Sequence, residues 1–195
     1  MKKVAWQRAK EHLDAMRISV EELRSANTNE AARRAWSHLL VHGQRVTSKL
    51  AAGSLGGSSA AWYNGVRKAL RESRCFQYAQ QARHAEEHGI EEITVATEPG
   101  LLMTAQDPEQ PMEISEVRFV NGRPVLVGDQ NKNIEFVEFD RDRIDLVPVR
   151  NRGVTYYPPK YVRMKPWLNS TPLEVAEEYF AFLESTVGAA ADLIE

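Results

Sequence analysis

Apolar positions divide the chain into a helical stretch, an alternating stretch and a final helical stretch. Leu13, Met16, Val20 and Leu23 recur at spacings of three and four, the stripe of one helix face, and predict a first helix over residues 5–24. The turn and capping residues of "SANTNE" follow, with Asn27 or Thr28 ahead of Glu30. A second periodic run from Ala31 to Leu50 then carries Trp36, Leu39, Leu40 and Val46. "AAGSLGGSSA" reads as a flexible Gly/Ser connection. "AWYNGVRKALRESRCFQYAQQARHAEEHG" is again helical in composition, with a break expected near Glu72 to Arg74 and Gly89 as a C-terminal cap. Three or four helices are expected in all.

Beyond Gly89 the period shortens to two. "EEITVAT", "EISEVRFV", "RPVLVG", "NIEFVEF", "IDLVPV" and "VTYYP" are β-rich runs separated by turn signals, among them Asn121-Gly122 and Asn151-Arg152-Gly153. They predict an antiparallel meander. A Pro-rich connection leads to "STPLEVAEEYFAFLESTVGAAADL", where Thr171 is the expected N-cap, Pro172 the first helical residue and Glu174 the partner in a capping box. This last helix is expected to bury Val175, Tyr179, Phe182 and Leu183. The fold class is therefore α+β, in three parts: a helical bundle over residues 1–90, an antiparallel β region over 91–160, and a Pro-rich connection with an amphipathic helix over 161–195. That helix is expected to return onto one of the other two parts.

A chain of 195 residues suffices for one domain or for two small ones sharing a core. The single Cys75 excludes an intrachain disulfide framework, and no apolar run approaches the ~20 residues that span a bilayer. The opening residues also lack the apolar region of a secretion signal, so a cytoplasmic protein without membrane attachment is expected. The net charge of -2 conceals a split: residues 1–90 hold 15 Lys and Arg against 8 Asp and Glu, a net of +7, and the remainder holds 10 against 19, a net of -9. Two consequences are open. The basic half can meet phosphate that the acidic half repels, or the two halves can simply dock on one another.

Residues 81–90, "QARHAEEHGI", concentrate the candidate chemistry. On a regular helix Arg83 and His88 stand five residues apart, about 140° around the axis, so they do not share a face. Arg83 matches Glu87 at a spacing that supports an ion pair, and His84 matches His88. Taken alone, the stretch reads as a charged helix end with histidines near the negative pole of the helix dipole.

"RHAEEH", at the end of the last helix of a basic N-terminal bundle, resembles the R-x(4-6)-H signature of the HEPN superfamily. The resemblance covers about residues 5–90. Members of that superfamily are α-helical bundles, many of them metal-independent endoribonucleases of toxin-antitoxin, phage-defence and RNA-processing systems. The resemblance implies Arg83 and His88 as the catalytic pair, His84 as the polar residue that follows the arginine, and no cofactor. It also implies a homodimer in which both motifs face one cleft, which removes the objection about helix faces. The residue types suit the reaction: a histidine titrating near neutrality takes and gives protons, and a permanent guanidinium holds the phosphate bidentately. Arg33, Arg34, Lys68 and Arg71 are the candidates for holding the RNA backbone. The rival expectation is a non-catalytic dimeric interaction protein whose acidic β region engages a protein partner; an antitoxin is one such partner under the first expectation.

Weaker signals add little. "HLLVH" puts His38 and His42 one turn apart, and with His84 and His88 this makes four imidazoles, but no Cys, Asp or Glu completes a ligand set and no metal is expected. "GSLGGSS" lacks the Gly-Lys-Ser/Thr ending of a phosphate loop. "EFVEFDRDRID" interleaves arginines with Glu138, Asp140 and Asp142, as a solvated edge does. "TYYPPKYVRMKPWL" mixes aromatics with Arg163 and Lys165, a composition that stacks bases or packs over a core.

Overall fold

The computed structural model describes residues 1–88, 92–98, 100–106, 110–121, 123–127, 132–139, 143–160 and 171–194. Its first two helices are α1 (Lys3–Ser25) and α2 (Asn29–Gly53), the second capped by Thr28, whose hydroxyl accepts from the Ala31 N–H at 3.2 Å. They pack along each other and bury Leu13, Met16, Val20 and Leu23 against Trp36, Leu39, Leu40, Val46 and Leu50.

The Gly/Ser stretch departs from the flexible connection expected of it. Helix α2 runs on to Gly53 and α3 begins at Gly57, so only residues 54–56 lie between them. Packing explains the small side chains: a Cβ at Gly53 would stand 2.7 Å from the Cβ of Ala5 on α1, and Gly57 begins its helix at a φ of +57°. Helix α3 (Gly57–Glu72) is separated from α4 (Arg74–His88) by Ser73 alone, in extended conformation, where the break was expected. Gly89 lies outside the described residues.

The final helix, α5 (Pro172–Ala191), opens with the full capping box of Thr171 and Glu174 and with Pro172 in its first turn. Val175, Tyr179 and Leu183 are buried to 1% exposure or less and Phe182 is half-buried, worth about 1.5–3 kcal/mol for each fully buried side chain. The helix returns onto the N-terminal bundle, against α1, α2 and α4. The Trp6 indole donates to the Val187 carbonyl at 3.0 Å, Arg17 meets Glu184 at 2.8 Å and Arg24 meets Glu177 at 2.7 Å. These exposed ion pairs add little beside the apolar contact, but they show acidic residues of the second half docking on basic residues of the first.

The β region is not a meander. Its strands are β1 (Thr94–Thr97), β2 (Gly100–Thr104), β3 (Glu116–Val120), β4 (Arg123–Val127), β5 (Glu135–Phe139), β6 (Arg143–Leu146), β7 (Val149–Asn151) and β8 (Val154–Tyr156). The first six pair in nested antiparallel order, β1 with β6, β2 with β5 and β3 with β4, with a bridge between Glu113 and Lys132; β7 and β8 form a separate hairpin. A meander requires each strand to reverse on the one before it. Here β1 and β2 pair with β6 and β5 instead of with each other, and β3 reverses into β4 past Asn121, which takes a φ of 52°. Strand β2 went unforeseen because "GLLMT" is a run of apolar residues without alternation.

The base of this ribbon joins the bundle through Ile93, Ile144 and Leu146, and the β7–β8 hairpin through Val149; all four belong to the same apolar cluster as the helices. Its outer part does not, and Phe119 is left 74% exposed. No described helix is long and apolar enough to cross a membrane.

The seating of α5 is open to a direct test. A Cβ added at Gly43 of α2 would lie 2.5 Å from Cε1 of the buried Tyr179. Gly43→Ala is therefore expected to cost about 1–3 kcal/mol and to lower Tm by roughly 5 °C. An unchanged melting curve would mean that Tyr179 does not sit there.

Candidate nucleic-acid interface

Helix α3 buries little of itself. Only Ser59 and Leu70 are fully buried, and Tyr63 ties the helix to α2 by donating its hydroxyl to the Thr47 carbonyl at 2.9 Å. Burial keeps that hydroxyl protonated by raising its pKa, an effect opposed by Arg67. Because α3 stands off in this way, a cleft of about 630 Å³ opens between α2, α3 and α4. Gln44 and Ser48 line it from α2, Asn64, Arg67 and Arg71 from α3, and Gln80, Gln81 and His84 from α4.

Among the described residues no Asp or Glu lines this cleft. Among the described residues neither Arg67 nor Arg71 has a carboxylate within ion-pair distance; Arg71 Nε donates instead to the Arg67 carbonyl at 3.3 Å. Two guanidinium groups, an imidazole and several carboxamides in one concavity suit a phosphate-bearing ligand, with the amides able to meet sugar or base edges.

Of the residues singled out from the sequence, the structure brings His84 and Arg71 together here. The others lie apart. Arg83 is 100° around α4 from His84, with a side chain 16% exposed that meets Glu87 at 2.9 Å and an Nε buried without a partner among the described residues. Helix α4 ends at His88, whose side chain lies outside the described residues. Lys68 faces Glu72 at 3.8 Å. Arg33 lies 3.8 Å from Glu92, and Arg33 and Arg34 precede Gln44 by ten residues or more of α2, about 15 Å along its axis. They do not share this cleft.

Sequence reasoning missed Arg67, Gln44, Gln80 and Gln81, which differ in no local way from any other polar residue on a helix. It also missed His12. His42 does not pair with His38; its Nδ1 faces His12 Nδ1 of α1 at 3.4 Å, and His38 is exposed. Among the described residues no three potential metal ligands converge. Glu138, Asp140, Asp142, Arg163 and Lys165 fall outside the described side chains.

Comparison with known proteins finds no matching family model, no similar curated protein and no matching solved structure.

The histidine pair sets a pH dependence. Burial, followed by Arg45 and Lys49, lowers the pKa of His12 below its ordinary 6.5; burial, followed by His12 and Arg45, does the same for His42. The unfolded chain therefore takes up protons first as pH falls. The contribution to stability is fully present above about pH 6.5 and is lost as pH falls from there toward the folded-state values. Between about pH 7.5 and about pH 5.5 the wild type should lose more Tm than His12→Gln does. Equal losses in the two proteins would show the pair to be thermodynamically silent.

Proposed function

We propose that this protein is a HEPN-like RNA-binding protein whose "RHAEEH" segment gives it metal-independent endoribonuclease activity. The observation that carries the reading is the cleft, without a carboxylate among its described lining residues, in which Arg67 and Arg71 of α3 meet His84 of α4, the helix that also bears Arg83 and His88. Backbone phosphates lie on Arg67 and Arg71, and the strand passes His84 toward the end of α4.

Cleavage then follows from the residue types. The ribose 2'-oxygen attacks the adjacent phosphorus while the bond to the 5'-oxygen breaks, leaving a 2',3'-cyclic phosphate and a 5'-hydroxyl. His88 takes the proton from the 2'-hydroxyl and returns one to the leaving oxygen, with His84 assisting. Arg83 stabilises the charge that builds on the phosphate, which takes the place of Glu87 as its anionic partner. In a homodimer the two α4 ends face each other across the scissile bond.

A second reading, a non-catalytic protein that binds a protein partner through its β region, is favoured by one observation: the outer ribbon leaves Phe119, Val120 and Val125 exposed.

Incubation with mixed single-stranded and structured RNA in EDTA separates the two. The first reading predicts cleavage that survives chelation, falls about 100-fold or more in Arg83→Ala and in His88→Ala, and in Arg71→Ala shows mainly a raised KM. Salt-sensitive RNA retention without cleavage would leave binding as the function, and neither would favour the protein-partner reading.

A further inference from the structure

A second cleft, of about 570 Å³, lies at the other end of α4, where the helix meets the β7–β8 hairpin. Arg74 and Gln77 line it from α4, Tyr156 and Tyr157 from β8 and the chain beyond it, and Lys160 from the segment that follows. Its described lining, too, holds no carboxylate.

Folding leaves the ring of Tyr157 in water, 70% exposed and outside the apolar cluster that Tyr156 packs against. The next two residues, Pro158 and Pro159, are buried and fix the main chain beside it. Tyr78, which lines the same cleft, is tied down by donating its hydroxyl to the Val147 carbonyl at 2.7 Å. The result is an aromatic face presented to solvent on a fixed backbone, in a cleft that Arg74 and Lys160 also line.

The two clefts adjoin. The Gln77 amide, in the second, donates to the main-chain carbonyl of Arg71, whose residue lines the first. Arg74 and Gln81, one from each cleft, stand seven residues apart on α4, roughly 10 Å, or about three nucleotides of a stacked strand.

We propose that the second cleft is a base-stacking subsite and that the ligand of the two clefts is a single-stranded RNA. This rests on the RNA reading above. The backbone tracks Arg67, Arg71 and Arg74, one base lies on Tyr157, and Lys160 meets a neighbouring phosphate. A duplex buries its base faces between neighbouring pairs and has none to offer an isolated tyrosine.

The test measures binding of fluorescently labelled RNA at one fixed ionic strength, under conditions that prevent cleavage. The probes are a single strand, the same strand annealed to its complement, and an abasic strand of equal length. For the wild type, the single strand should bind more tightly than the other two. Tyr157→Ala, at a position 70% exposed and outside the apolar cluster, should weaken binding of the single strand about tenfold and leave the abasic strand unchanged. Arg71→Ala should weaken all three. Loss in Arg71→Ala with none in Tyr157→Ala would overturn the stacking subsite and leave the RNA reading standing. Loss in Tyr157→Ala with none in Arg71→Ala would overturn the first cleft as the backbone site and keep the subsite. Equal affinity for duplex and single strand would overturn the single-strand proposal, and no binding of any probe would overturn both.

Discussion

Tyr179 organises the molecule. Fully buried on α5, it lies against Gly43 of α2 and the ring of Phe76 on α4, 5.8 Å between centroids. One side chain thus joins three helices. Its position requires glycine at residue 43, because any Cβ there would occupy the ring. With α5 packed on α1, α2 and α4, α3 is left at the flank with only Ser59 and Leu70 fully buried, and a concavity opens beneath it.

The charges follow from the same arrangement. A chain of net charge -2 presents two clefts whose described lining holds cationic side chains and no carboxylate. Glu177 and Glu184 meet Arg24 and Arg17 along α1, Glu72 meets Lys68, and Glu87 meets Arg83. Some charges join the halves, whereas Arg67, Arg71 and Arg74 remain without ion pairs among the described residues.

The helices were legible because their signals are local. The capping box at Thr171, the N-cap at Thr28 and the break at Ser73 each depend on residues within one turn, and each appears where expected. Strand pairing was not legible, because whether β1 pairs with β2 or with β6 is decided some fifty residues away. The glycines of the first connection suggested flexibility, whereas Gly53 is small because Ala5 is close. The site was half legible. His84 and Arg71 were singled out from the sequence, but the partners that make a cleft of them depend on how three helices pack. His42 likewise found its partner on α1 rather than one turn along its own helix.

The central claim is that Arg67, Arg71, Arg74 and Lys160 take the place of counterions along an RNA backbone. The most direct measurement is the affinity for a short single-stranded RNA across a series of salt concentrations. Three or four phosphate contacts predict a slope of log K against log salt of about -2 to -3, falling to about -1 when Arg67 and Arg71 are both replaced by alanine. A slope near zero, or one that the double substitution leaves unchanged, would contradict the account.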